Sequence, residues 1–468
     1  MARPSTGPAG RGESSTAAGF LPCAFLPVGG FGTAATIGEG RRVKRALEAE
    51  ERTALGNVII KALSVPLEKG CRIALMVVAA PMLGAAAFGS YQFAFAATTM
   101  LALCTDLGTG VWTTRALARD RGYAAVVVGT VLRLRLAATA PYLAVVALAA
   151  ALAGPGDTRR ALALLGLAAL LNAFIDYFLA IFRGFERLAD EARLNVARAL
   201  LIAGCGLGAL AMRRSVAALA AGLLAGTLAS GLYGLALLRG RYGLDVRGAL
   251  PADRALRRRA AREAFPLWLA TLLSLLYFKG DVVLLKAFAG DAEVGAYSAA
   301  YKIFEGLMIV PSVVLAATFP LLARARDHRD RQRRWERALV MLLLALGSAV
   351  GAGVYLASDR IVALVFGAGF ARAVPSLRVL AGALPVLFLN FGLTHFLIAR
   401  DLERRNLLFA ALMLVVNVSV NLMLIPRRGG PGAAWATLAT ELALTACCLL
   451  ALRERPAPVV AAAEIQPQ

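Results

Sequence analysis

Charged residues are scarce in this chain, and histidine is almost absent. Among 468 residues, 17% are charged and only two are histidines, whereas 59% are hydrophobic. A soluble protein of this length needs a largely polar surface, and this composition does not supply one. The sequence therefore excludes a water-soluble globular protein.

The sequence also lacks the motifs of common enzyme classes. No H-E-x-x-H, G-x-S-x-G or Walker A pattern occurs, and the two histidines lie far apart, at His328 and His395. The six cysteines form no CxxC or Cys/His cluster, and five of them lie in apolar segments, as small core residues do. We therefore expect no catalytic residue, cofactor or metal site. Without a nucleotide site, transport would depend on an ion gradient or on downhill substrate flux.

Long apolar runs recur from residue 73 almost to the end of the chain. Each has about 20 residues, the length that an α-helix needs to cross the hydrocarbon core of a bilayer. Barrel strands would show short alternating segments instead. The sequence predicts an all-α polytopic membrane protein with about twelve transmembrane helices. The predicted spans are 54–81, 88–111, 132–154, 161–182, 194–212, 215–238, 264–288, 294–323, 338–357, 375–399, 406–425 and 431–452.

Lysine and arginine are distributed unevenly among the connections between these spans. One alternate set of connections, which includes both terminal segments, holds 31 of these residues, and the other set holds 8. Excess positive charge marks the cytoplasmic side of a membrane protein. We therefore expect both termini in the cytoplasm, and we interpret the net charge of +22 as a sign of topology, with no nucleic-acid partner.

The largest basic connection divides the spans into two sets of six. A weak internal repeat fits this division, because Gly89 and Tyr91 correspond to Gly295 and Tyr297. Halves with an even number of spans would be parallel repeats around a central cavity. The predicted domains are a disordered cytoplasmic extension at 1–53, helical bundles at 54–238 and 264–452, a basic cytoplasmic linker at 239–263 and a cytoplasmic tail at 453–468.

The first span carries a polar stripe. Asn57, Lys61, Ser64, Glu68 and Arg72 follow steps of four, three, four and four residues, which places them on one side of a helix. A polar stripe on a spanning helix must face protein or a water-filled cavity. Alternatively, this segment is an amphipathic cytoplasmic helix and the span begins near Arg72.

Other spans carry polar residues at helical spacing. We expect Arg133 and Arg135, at the start of span 3, to extend toward the cytoplasm. Asp106 and Arg183 fit either a cavity or the cytoplasmic boundary. The patterned residues are Gln92, Thr99 and Asp106 in span 2, Asn172, Asp176 and Arg183 in span 4, and Asn417 and Asn421 in span 11.

Spans 7 and 8 hold several ionisable residues. Asp281 shares a helix face with Tyr277, and Lys279 points nearly opposite. Lys302 and Glu305 are three residues apart, so they can pair on a helix. We interpret the charges within the spans as the lining of a wet cavity. A purely structural network of ion pairs is the alternative.

Four segments carry a resemblance to a known family. They are "FGSYQFAFAATTMLALCTDLGTGVWTTRALAR", "IFRGFERLADEARLNVAR", the segment that begins "YFKGDVVLLKAFAGDAEVGAYSAAYKIFEG", and "AVPSLRVLAGALPVLFLNFGLTHFLIARDLERRNLLFAALMLVVNVSVNLMLIP" with "GGPGAAWATLATE". Their order and spacing resemble the polysaccharide (O-antigen type) flippase family of the multidrug/oligosaccharidyl-lipid/polysaccharide (MOP) exporter superfamily. The resemblance covers nearly the whole chain from residue 54.

The resemblance implies alternating-access export of an undecaprenyl-diphosphate-linked oligosaccharide across the bacterial inner membrane. It also implies a basic central cavity, a possible coupling cation (H⁺ or Na⁺), and partners among membrane lipids and polysaccharide assembly proteins. The basic candidates for the cavity are Lys61, Lys69, Arg72, Lys279, Lys302 and Arg378. The acidic candidates for gating or ion coupling are Glu68, Asp106, Asp176, Asp281 and Glu305.

Other exporters of this superfamily remain alternatives at the level of sequence. Lipid II flippases and cation-coupled drug antiporters share the architecture. A basic cavity favours an anionic glycolipid over a cationic drug, and twelve spans differ from the fourteen of lipid II flippases. A membrane enzyme of glycan assembly is a further alternative.

Overall fold

The computed structural model describes residue Ser64 and residues 66–153, 156–244, 251, 253–324, 329–399 and 403–453. All regular structure in these ranges is helical. The helices are α1 (66–83), α2 (Ala85–Asp106), α3 (Thr109–Arg119), α4 (Ala124–Leu152), α5 (Asp157–Gly184), α6 (Leu188–Met212), α7 (Val216–Tyr242), α8 (Arg254–Leu307), α9 (Ile309–Arg324), α10 (Arg329–Phe366), α11 (Ala373–Ala399), α12 (Glu403–Arg428) and α13 (Gly430–Arg453). We refer to α1–α7 as the N-terminal helices and to α8–α13 as the C-terminal helices.

The expected polytopic α-helical fold is confirmed. Within the described ranges, ten helical segments are long and apolar enough to cross a membrane. One of them, Arg254–Thr318, has a non-helical residue at Gly290 (φ 81°), so it consists of two helical parts that correspond to predicted span 7 and most of predicted span 8. Helix α1 covers the second part of predicted span 1, and the first part of that span lies outside the described residues.

Predicted span 2 is not a single helix, which corrects the sequence prediction. Helix α2 ends at Asp106, and both Leu107 (φ 49°) and Gly108 (φ 70°) adopt the left-handed conformation before α3 begins. A Cβ atom on Gly108 would lie 2.5 Å from the carbonyl oxygen of Ala264 in α8. The left-handed conformation and this close approach both favour glycine, so a tertiary contact explains the break.

The two helices with the repeated sequence cross each other closely. A Cβ atom on Gly89 of α2 would lie 1.8 Å from the carbonyl oxygen of Asp291, and one on Gly295 of α8 would lie 1.9 Å from that of Ala85. Only glycine permits this separation. The contact is reciprocal, since each glycine packs on the residue four positions before the other. Such reciprocity is what a two-fold axis between the two segments requires.

The first turns of α8 pack on the N-terminal helices, at the other end of α2. The indole of Trp112 donates a hydrogen bond to Glu263 Oε2 at 2.8 Å, and that of Trp268 donates to the carbonyl oxygen of Leu103 at 3.0 Å. Ala260 is buried in the same cluster. The predicted linker 239–263 therefore includes the end of α7 and the start of α8, because these turns have a packing partner.

Candidate functional site

The N-terminal helices enclose a cavity of about 460 Å³. Residues of α1, α2, α3, α5, α6 and α7 line it, and Leu275 of α8 completes the wall. Its ionisable lining consists of three arginines and three acids, together with one thiol and one phenol. These residues are Glu68, Cys71, Arg72, Tyr91, Asp106, Asp176, Arg183 and Arg198.

Helical spacing brings several of the patterned residues to this cavity. Asn172, Asp176 and Arg183 follow steps of four and seven in α5, and all three line it. Glu68 and Arg72 of the α1 stripe also line it, which favours a cavity-facing stripe over a surface helix. The first two residues of the stripe, Asn57 and Lys61, lie outside the described residues.

Arg198 of α6 is the centre of an ion-pair network in this cavity. Its Nη1 donates to Asp176 Oδ1 at 2.6 Å, and its Nη2 lies 3.4 Å from Glu68 Oε1. The same Glu68 oxygen accepts a hydrogen bond from Arg72 at 3.1 Å. The Arg198 side chain is 12% exposed, whereas that of Arg72 is 62% exposed. The network therefore joins α1, α5 and α6 through one guanidinium.

A second arginine stabilises the break between α2 and α3. The guanidinium of Arg135 pairs with Asp106, and it also donates to Thr109 Oγ1 and to the carbonyl oxygen of Ala173, both at 2.9 Å. It lies 4.5 Å from the ring centroid of Tyr177. The Arg135 side chain is 2% exposed, so the expectation that it extends toward the cytoplasm is wrong. Its partners on other helices explain the burial.

Two lysines of α8 lie next to this cavity. Lys279 and Lys302 line a small pocket of about 20 Å³, and Phe95 lines both this pocket and the large cavity. Lys302 pairs with Glu305 at 2.6 Å, as the spacing of three residues predicts. The lysines of α8 therefore lie beside the large cavity and not in its lining.

The remaining predicted residues have other surroundings. Lys69 is exposed and lies outside the set that lines the large cavity. Arg378 pairs with Asp359 at 2.6 Å on α10 and lies over the ring of Tyr355. Asp281 is 4% exposed and accepts hydrogen bonds from Tyr297 and from the backbone N–H of Val282.

Glu441 of α13 forms a second buried carboxyl site among the C-terminal helices. It is 4% exposed, and its two oxygens accept hydrogen bonds from the hydroxyl of Tyr277 at 2.8 Å and the amide of Asn390 at 2.7 Å. The hydroxyl of Thr445 donates to Asn390 Oδ1 at 2.7 Å. These bonds connect α8, α11 and α13.

Sequence reasoning missed Arg198 and the donors to Glu441. Arg198 is the single charged residue of predicted span 194–212, which was a usable signal. Its partners lie on two other helices, 22 and 130 residues away. Spacing along one helix does not identify such partners.

The fold of this chain is similar to that of a solved membrane protein. A solved structure described as lipid II flippase MurJ in an inward closed conformation has a TM-score of 0.67 to this chain. The alignment covers 85% of this chain and 88% of the MurJ chain, with 13% sequence identity. At this identity the similarity shows the fold alone.

The family follows from sequence matches. Residues 54–326, more than half of the chain, match the family described as polysaccharide biosynthesis protein, and residues 194–463 match the family of lipid II flippase MurJ. The chain belongs to the polysaccharide flippase family of the MOP superfamily, as its resemblance implies.

Two curated relatives are similar to parts of the chain. The probable flippase AglR of Haloferax volcanii is 30% identical over 200 residues, which is 41% of this chain and 40% of that relative. The EPS I polysaccharide export inner membrane protein EpsE of Ralstonia nicotianae is 26% identical over 376 residues, 78% of this chain and 84% of that relative. The chain thus matches less than half the length of AglR and most of EpsE.

Proposed function

We propose that this protein moves a polyprenyl-diphosphate-linked oligosaccharide from the cytoplasmic to the outer leaflet of a bacterial inner membrane. In this proposal it is a transporter and not an enzyme, both termini are cytoplasmic, and the N-terminal and C-terminal helices are two halves that alternate access to the cavity. The flippase and export names of its relatives support the reaction class. The observation that carries the substrate class is a cavity among long apolar helices whose wall holds three arginines beside three acids.

The chemistry of this cavity suits a diphosphate. Guanidinium groups bind phosphate oxygens through paired hydrogen bonds, and such charge-assisted bonds are stronger where water is limited. Arg72 and Arg198 face the cavity. A diphosphate bound here would be held between α1 and α6, while its prenyl chain remains in lipid. The glycan would occupy the open part of the cavity.

A leaflet assay in cells that lack the protein tests this proposal. We expect the lipid-linked glycan to accumulate in the inner leaflet, where a membrane-impermeant probe does not label it. Wild type should restore labelling, and Arg72→Ala should not. Arg121→Ala is the matched control, because Arg121 pairs with Glu186 at 2.5 Å outside the cavity. Glycan that reaches the outer leaflet without the protein and remains unpolymerised would place its action after translocation.

A further inference from the structure

The arginines of the cavity are already bound to carboxylates. Arg198 contacts one acid on α1 and another on α5, and Arg72 contacts the same Glu68 oxygen that Arg198 does. The amide oxygen of Asn195 accepts a further hydrogen bond from Arg198 at 3.1 Å. Both terminal nitrogens of Arg198 therefore have partners. Three of the five N–H donors of the guanidinium are used in this way, so an anion that binds Arg198 competes with Glu68 and Asp176 for it.

Asp106 and Arg183, the charged residues of the cavity wall that lie outside the network, have partners of their own. Asp106 pairs with Arg135 of α4, and Arg183 lies 3.8 Å from Glu191. Helix α7 faces this region with Thr227, whose hydroxyl lies 3.4 Å from the amide of Asn172. Outside the network, the charged side chains that line the cavity or pair with its lining are Asp106 of α2, Arg135 of α4 and Arg183 of α5, and Lys279 of α8 lines the adjoining small pocket. The ion pairs of Arg198 with Glu68 and Asp176 are therefore the ones that an entering anion can open.

The two acids differ in how easily they can give up the arginine. Asp176 is 62% exposed, so water can solvate its carboxylate once the ion pair opens. Glu68 is 22% exposed and keeps a contact with Arg72 if Arg198 leaves. Opening either ion pair therefore costs little free energy, since neither carboxylate becomes buried without a partner. A fully buried pair would not permit such an exchange.

We propose that Asp176 and Glu68 are release residues: they compete with the substrate diphosphate for Arg198 and return to it when the substrate leaves. This inference rests on the proposed function and adds a role for the acids. A cavity of free arginines would bind a diphosphate too tightly for rapid turnover. Competing carboxylates lower the affinity, because substrate binding must break ion pairs that already exist. They also neutralise the empty cavity.

Binding and translocation should respond to Asp176→Asn in opposite directions. The experiment uses full-length protein in nanodiscs and measures binding of inorganic pyrophosphate by calorimetry. We expect Asp176→Asn to bind pyrophosphate about tenfold more tightly than wild type, because one charge-assisted contact that competes for Arg198 is lost. The same variant should slow translocation in the leaflet assay. Arg198→Ala should weaken pyrophosphate binding by about tenfold or more. Glu186→Gln, whose acid pairs with Arg121 outside the cavity, is the matched control and should change neither quantity.

Each result separates this inference from the proposed function. If Asp176→Asn and Glu68→Gln, with unchanged thermal stability, bind pyrophosphate more weakly than wild type or equally well, the acids only position Arg198 and the inference is wrong. Loss of binding in Arg198→Ala would then still support the proposed function. If folded wild type does not bind pyrophosphate at all, the basic site of the proposed function fails as well. Tighter binding with faster translocation would also overturn the release role.

Discussion

Two acids of the N-terminal helices and two buried acids of the C-terminal helices are held by different kinds of partner. Asp106 and Asp176 of the N-terminal helices pair with arginines at the wall of a cavity. Asp281 and Glu441 of the C-terminal helices are each 4% exposed, and their hydrogen bonds come from tyrosine, asparagine and backbone donors. Within the described ranges, neither of these two makes an ion pair.

This difference is informative because the two sets of helices meet through equivalent glycines. The reciprocal contact of Gly89 and Gly295 relates α2 to α8, whereas the large cavity is lined by the N-terminal helices together with Leu275 of α8. Ion pairs at a solvated wall can exchange partners, whereas a carboxyl enclosed by neutral donors mainly holds helices together. The crossing of α2 and α8 is thus symmetric, whereas the charged residues are placed differently in the two sets of helices.

The largest effect that we predict concerns Arg135, the most buried charge of the N-terminal helices. Arg135→Met removes the partner of Asp106 and the donor to Ala173. Breaking such a pair costs about 3–5 kcal/mol when the remaining ion is buried. Since Asp106 is 31% exposed, we expect the lower end, about 3 kcal/mol, in the free energy of unfolding. Denaturant titration in detergent measures it.

Arg135→Lys serves as the companion variant for this prediction. Lysine keeps the charge but offers a single nitrogen, so it cannot reach Asp106, Thr109 and the carbonyl oxygen of Ala173 together. We expect an intermediate loss of stability. Equal stability of the methionine variant and wild type would show that Arg135 does not stabilise the break after α2.

The next effect concerns Glu441 among the C-terminal helices. Glu441→Leu leaves the hydroxyl of Tyr277 and one amide hydrogen of Asn390 without an acceptor. Unsatisfied buried donors cost about 1–3 kcal/mol each, so we expect a loss of about 2 kcal/mol after the gain in apolar burial. The same denaturant titration applies. Glu441→Gln should restore much of the loss, because its amide oxygen can accept one of the two bonds.

A loss of transport without a loss of stability would change the comparison between the N-terminal and C-terminal acids. If Glu441→Gln preserved stability but abolished translocation, the carboxyl would have a transport role that its neutral donors do not indicate. The C-terminal acids would then resemble the N-terminal ones in function, despite their different surroundings.

The helices could be predicted from the sequence, because membrane crossing requires long apolar runs. The all-α fold and the pairing of Lys302 with Glu305 follow from local spacing, and both agree with the structure. The break at Leu107 and Gly108 could not be predicted from the residues alone. It depends on a contact with Ala264, more than 150 positions away.

The cavity was predictable only in part, for the same reason. Stripes on α1 and α5 identified Arg72 and Asp176, because a stripe is a property of one helix. Arg135 and Arg198 act between helices, and their partners follow from packing. The burial of Arg135 in particular depends on the carboxylate of Asp106 on α2.

The smallest effect that we predict is for Arg378, a basic residue that the sequence suggested for the cavity. Its side chain is 44% exposed and its partner Asp359 is 65% exposed. Exposed ion pairs contribute about 0–1 kcal/mol, because water screens the charges and both side chains lose freedom when they pair. Arg378→Ala should therefore change the free energy of unfolding by less than about 1 kcal/mol. A loss comparable to that of Arg135→Met would show that the membrane or the substrate removes this pair from water, and the contrast between exchangeable and enclosed charges would then extend to the C-terminal helices.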